Sequence, residues 1–311
     1  MDPAFVTARK DGQWRVATRS LTGSCAGIEV TGERRWWGGR WSLTSAAPFP
    51  VPEKLILFVS ASGMEHGFWR DLIVGDRSFD HQFFIFCDTP ALLPLVLGPA
   101  TRRVLRDHGQ SRDALTLYVR AGVTRVLGTC AEDDPLAFDR HIAVHQALGE
   151  DHRACLADWQ QLMTASHGRA DESWPPVATI MSRTGTLTVH ASWTAPTTRD
   201  GADWERSADS LRTHLQGHDG RKRRRWTLHE MEPGVAGTHT LGGRHITILG
   251  EPSISLPLLD DLVHMGDIVS ISCGSHVAIA LRGLAGPRQM NAALRIIELI
   301  VDPAGTGSPY R

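Results

Sequence analysis

Leu115-Thr-Leu-Tyr-Val-Arg-Ala-Gly-Val-Thr-Arg-Val-Leu127 reads as two strands around a tight turn, and what surrounds it decides the fold. Residues 115–119 and 123–127 are rich in β-branched and apolar side chains, and Arg120-Ala-Gly122 supplies the turn. Glu132-Asp-Asp-Pro135 then predicts a helix over about 136–148, because acids and proline suit the N–H groups left unbonded in a first turn. The same order recurs downstream. Residues 267–272 and 276–281 flank Cys273-Gly274-Ser275, and Gly286-Pro287 opens a helix carrying Met290, Leu294, Ile297 and Val301 at helical spacing. Gly122 to Pro135 and Gly274 to Pro287 span the same thirteen positions.

Working outward, residues 55–59 (Leu-Ile-Leu-Phe-Val) and 83–87 (Phe-Phe-Ile-Phe-Cys) are short apolar runs expected of buried strands. Asp88-Thr-Pro90 resembles a helix start. The stripe Leu92, Leu93, Val96, Val104 and Leu105 is interrupted by Pro94 and Gly98-Pro99, which predicts two short helices rather than one. A further helix is predicted over 153–165, and residues 244–249 take the place of the 83–87 strand in the second half. The expected fold class is α+β, in two related units, each an antiparallel sheet with a strand-helix-hairpin-helix pattern. Residues 1–165 form the first unit, the polar, proline-rich stretch 166–176 a linker, and 177–311 the second unit, an internal duplication.

The chain has 311 residues, 33 basic and 34 acidic side chains and a pI near 6.9. That length can bury a sizeable core, and the charge balance argues against an extended nucleic-acid or anionic-membrane footprint. Ten tryptophans stand against two tyrosines, and Trp36, Trp37 and Trp41 lie close together as candidate protein-interface anchors. Cys25, Cys87, Cys130, Cys155 and Cys273 are far apart with no CxxC pair, so neither a zinc ribbon nor a dithiol site is supported and a reducing compartment is expected. A signal peptide and an apolar run long enough for a membrane span are both missing, which leads us to expect a cytoplasmic protein with no membrane partner.

Gly75-Asp76-Arg-Ser-Phe79-Asp80-His-Gln-Phe83, followed by a strand and Asp88-Thr-Pro90, resembles the GDxxFDxxF segment of a family of uncharacterised bacterial proteins. The resemblance covers about residues 20–148. It implies an opening strand at Gly23-Ser-Cys-Ala-Gly27-Ile-Glu-Val30, a helix from Ala91-Leu-Leu93 and a bacterial source, and it brings no known activity; some members have membrane spans in front of this domain. Read physically, Gly75 permits a positive φ at a turn, Asp76 or Asp80 accepts backbone N–H bonds there, and Phe79 and Phe83 anchor the turn on the core.

Three constellations bear on chemistry. In His141-Ile-Ala-Val-His145-Gln-Ala-Leu-Gly149-Glu-Asp-His152 the three imidazoles fall on one helical stripe, a candidate zinc site. The string departs from the HExxHxxGxxH protease pattern at Ile142, and Gly149 and His152 are each one position late. Aligning the two helices at their prolines sets His141 against Ala293 and His145 against Ile297, which favours histidines packed at a core edge. Arg221, Lys222, Arg223, Arg224 and Arg225, beside Trp226, are a candidate anion or nucleic-acid contact, against a solvated loop tip as the simpler reading. Asp260 and Asp261 with His264 are either an acid/base group or a helix end, and Gly-Ser-Cys-Ala-Gly at 23–27 reads as a turn rather than a nucleophile loop. Motifs for a serine nucleophile elbow, a phosphate loop or HExxH do not occur. The expected function is a non-catalytic interaction or assembly module, binding another protein or itself, with no catalytic residues and no cofactor. A metal-dependent hydrolase using the histidine stripe is the alternative, and nucleic-acid binding through residues 221–225 the second.

Overall fold

The computed structural model describes residues 12–25, 27–34, 40–50, 55–61, 71–109, 115–131, 134, 136–165, 169–170, 174–175, 177–182, 185–194, 209–218, 223–231 and 235–301. The chain divides into two compact units, Met1–Cys155 with Asp200–Asp209 and Leu156–Arg199 with Ser210–Arg311. The division falls inside a helix, and most of the stretch 166–176 lies outside the described residues.

The first unit runs β1 (Gly12–Val16), β2 (Ser20–Cys25), β3 (Ile28–Arg34), β4 (Arg40–Pro48), β5 (Ile56–Ala61), β6 (Leu72–Ile73), α1 (Arg77–Asp80), β7 (Phe83–Cys87), a 3-10 turn (Pro90–Leu95), α2 (Pro99–Gly109), β8 (Thr116–Arg120) and β9 (Val123–Ala131). α3 (Ala137–Ala165) follows. Eight strands form one sheet in the order β1-β2-β3-β4-β9-β8-β5-β7, every pairing antiparallel. The remaining strands are β10 (Arg169–Ala170), β11 (Val177–Ser182), β12 (Gly185–Thr194), β13 (Asp209–Ser210), β14 (Arg212–His218), β15 (Trp226–Glu230), β16 (His239–Leu241), β17 (Arg244–Leu249), β18 (Ile268–Cys273) and β19 (Val277–Arg282), with α4 (Leu256–Gly266) and α5 (Pro287–Val301). Nine of these ten strands, all but β13, form a sheet in the order β10-β11-β12-β14-β19-β18-β15-β17-β16, again antiparallel throughout. Both units are therefore helix-and-sheet structures of the α+β kind.

The alternation of side chains explains which face is covered. In β4, Trp41, Leu43 and Ser45 point inward and Arg40, Ser42 and Thr44 outward. Trp41 and Leu43 join Leu21, Cys25, Ile28, Val30 and Cys130 in a cluster closed by Ala137, Phe138 and Ile142 of α3. An antiparallel sheet with one helical cover and one open face needs this period-two pattern. The β8–β9 hairpin turns through Ala121 (φ 53°) and Gly122 (φ 70°), the two positive φ values of a type I′ turn.

Two sequence expectations need correction. α3 is one helix, not two, and it runs straight through Gly149; a Cβ there would meet nothing within 4 Å, and one glycine in a long helix costs only about 1 kcal/mol. The segment 23–30 is not one opening strand but the turn between β2 and β3, where Gly27 has φ +78°. The predicted break at Gly98-Pro99 is present and has a specific anchor. Asp151 on α3 accepts hydrogen bonds from the N–H groups of Ala100 (3.0 Å) and Thr101 (2.7 Å), capping α2 from another element. A Cβ on Gly98 would lie 2.4 Å from the Asp151 carboxyl carbon. Asp151→Ala is expected to lower unfolding free energy by about 1–2 kcal/mol in urea titration, with Gly98→Ala destabilising as well because it displaces the same carboxylate.

Candidate functional site

α3 places His141 and His145 one turn apart against β4 and β9, at 2% and 9% exposure. The Ser45 hydroxyl of β4 sits between them, 3.0 Å from His141 Nδ1 and 2.9 Å from His145 Nε2. Thr124 Oγ1 of β9 lies 3.0 Å from His145 Nδ1 and donates its own proton to the Ala47 carbonyl. Burial pushes both imidazoles down to about 4, with His145 adding to the effect on His141. His152 does not join them: it packs edge-on against Phe49, ring centroids 5.4 Å apart. The three histidines predicted as one metal stripe thus do not converge. Two are turned to hydroxyls on the sheet, and the described residues contain no group of three or more His, Cys, Asp or Glu that could hold a metal ion. Sequence reasoning missed Ser45 and Thr124, whose partners are 96 and 21 positions away and leave no local signal.

The Gly75-to-Phe83 segment is a closed loop. Asp80 accepts N–H bonds from Val74 (2.9 Å) and Gly75 (3.0 Å), and Asp76 caps α1 through Phe79 N–H (3.2 Å). Gly75 has φ +87°, and Phe79 stacks on Phe83 with centroids 4.6 Å apart. Burial favours raising both carboxyls and prevails for Asp80. For Asp76 the Ser78 hydroxyl, the Phe79 N–H and the Arg102 and Arg106 guanidiniums outweigh it and hold the group below its ordinary value. The physical reading of this segment therefore holds: its glycine, carboxylates and rings are used in shaping the turn.

Of the candidate interface tryptophans, Trp36 and Trp37 lie outside the described residues, and Trp41 is 2% exposed in the core cluster. Trp41 is a core side chain because β4 alternation turns it inward. Of the basic run, Arg221 and Lys222 lie outside the described residues. Arg223 is half-buried with its N–H bonded to the Gly274 carbonyl, Arg224 pairs with Glu251 at 2.9 Å, and Arg225 is exposed. Asp260 accepts the Gly242 N–H at 2.7 Å, so it closes the β16–β17 turn on α4. Unanticipated by the sequence is an ion cluster in which Arg244 reaches Glu230 (3.2 Å), Asp267 (3.0 Å) and the Val263 carbonyl (3.1 Å).

Four of the five cysteines are buried. Burial pushes the Cys87 thiol up to about 12, with Asp88 adding to it, and Cys130 up to about 11, with Asp134 adding to it. In native protein at neutral pH, a thiol reagent is expected to modify Cys155 first, the others reacting only on unfolding; prompt labelling of Cys87 or Cys130 contradicts this. Asp80→Ala, which orphans two backbone donors, is expected to cost about 1–3 kcal/mol in the same urea titration.

No family model matches the chain, and no curated protein is significantly similar to it. Among solved structures, vicilin from Corylus avellana (hazelnut) is similar at 8% identity over 89% of this chain and 81% of that one, with a TM-score of 0.11, which carries no argument about fold or function.

Proposed function

We propose that the protein is a non-catalytic interaction or assembly module built from two copies of one α+β unit. The observation that carries the reading is that the side chains with reactive potential are spent on the framework. His141 and His145 bond Ser45 and Thr124, while Asp76, Asp80 and Asp151 hold backbone N–H groups. The duplication is supported by the strand orders. In both, four successive meander strands (β1–β4; β10, β11, β12, β14) are followed in space by the strand preceding the last helix (β9; β19) and its hairpin partner (β8; β18). The next two positions are also matched (β5, β7; β15, β17), and a helix separates β7 from β8 as α4 separates β17 from β18.

A surface for a partner is offered by α4, whose inward Leu259, Leu262 and Val263 leave Leu258 and Met265 outward, two turns apart, at 40% and 56% exposure. The partner is another protein or a second copy of this chain. Sedimentation and affinity capture at moderate salt test this: a stoichiometric complex lost in Leu258→Glu/Met265→Glu is the expected result. A monomer that retains no protein overturns it. The hydrolase alternative makes a separate demand. Purified protein is expected to hold less than about 0.2 equivalents of metal, and stoichiometric zinc lost on His145→Ala would establish that alternative instead. Salt-sensitive retention of RNA on a filter would favour residues 221–225 as the contact.

A further inference from the structure

The hydrogen bonds around Ser45 form a connected set while both imidazoles are neutral. With the Thr124 proton on the Ala47 carbonyl, His145 Nδ1–H donates to Thr124 Oγ1. A neutral His145 then has a bare Nε2, which accepts the Ser45 hydroxyl proton. Ser45 Oγ in turn faces His141 Nδ1, and the Val126 backbone bonds the same ring. The whole set joins α3 to both β4 and β9. An added proton breaks the order. On His145 it displaces the Ser45 donation; on His141 it places a cation in the tight space beside Gly128, where a Cβ would lie 3.0 Å from Nε2.

The surroundings offer such a cation little relief. The titratable and charged groups facing His141 are His145 and Arg140 on α3 and His108 on α2, all basic; the strands contribute the Ser45 and Thr124 hydroxyls and the Val126 and Ser45 backbone, whose hydrogen bonds to His141 and His145 favour the charged forms but are outweighed by burial. Asp139, the acid nearest in sequence, is exposed, and Asp134 is paired with Arg140 at 2.8 Å. We infer that the Ser45–His141–His145–Thr124 cluster is an acid-sensitive clamp, which holds α3 on the sheet of the first unit while both imidazoles are neutral and releases it when they take up protons.

The direction follows from linkage. Both imidazoles titrate near 4 in the folded protein against an ordinary value of 6.5, so the unfolded or undocked state binds more protons between those values. The stabilisation is complete above about 6.5 and is lost as pH falls through about 4.

Hydrogen exchange, corrected for intrinsic rates, tests the clamp on the full chain. Between pH 7 and pH 4.5 the amides of residues 138–148 are expected to lose protection by on the order of tenfold or more per histidine, while β18 and β19 change less. His141→Gln/His145→Gln, which keeps polar side chains that do not titrate, is expected to remove most of that pH dependence. An unchanged loss in the double variant, or none in the wild type, overturns the inference. Should the double variant not fold, histidine ring NMR of the wild type decides: His141 and His145 still neutral at pH 5 supports the clamp, and titration of both near 6.5 overturns it.

Discussion

The covering of one sheet face by α3 is the constraint on which the first unit depends. An eight-stranded antiparallel sheet with Leu21, Val30, Trp41 and Leu43 on one face must bury that face, and Ala137, Phe138 and Ile142 do so. Apolar contact alone leaves the helix free to slide, because one leucine replaces another at little cost. Directional bonds fix its position: Ser45 on β4 and Thr124 on β9 meet His141 and His145 one turn apart, and farther along the same helix Asp151 caps α2. One helix thereby sets the placement of the sheet centre and of the helix that connects β7 to β8.

The second unit solves the same problem with a smaller device. Thr213, fully buried on β14, donates to the Gly283 carbonyl (2.7 Å) and accepts the Ala285 N–H (3.0 Å), tethering the segment that leads into α5. β14 holds the fourth place in its sheet order, as β4 does in the first. Each unit thus has a buried hydroxyl on that strand which secures the approach or the body of its last helix. In the first unit the hydroxyl is bonded to titratable rings, and in the second to backbone that does not titrate.

Residue types associated with catalysis or metal binding serve here as connectors. Asp80 organises a turn, Asp260 closes a hairpin on a helix, and Arg244 gathers two carboxylates and a helix-end carbonyl. Buried polar groups of this kind specify register, because each has few geometries in which all of its bonds are made.

What the sequence by itself determined is local. The β8–β9 turn, the strands at 83–87 and 244–249, the break before Pro99 and the loop chemistry of Gly75, Asp76 and Asp80 were legible because φ preferences, proline and period-two alternation act over a few residues. The meander strands β1–β3 were missed or merged, since their polar and glycine-interrupted composition carries a weak strand signal. Only the tertiary structure decided what the histidines are. Helical spacing put His141, His145 and His152 on one stripe, and nothing in that spacing announces Ser45, 96 positions before His141. Whether an imidazole is a ligand or a bonded core group depends on what the opposite strand presents, and the fold brings that strand from far away in sequence.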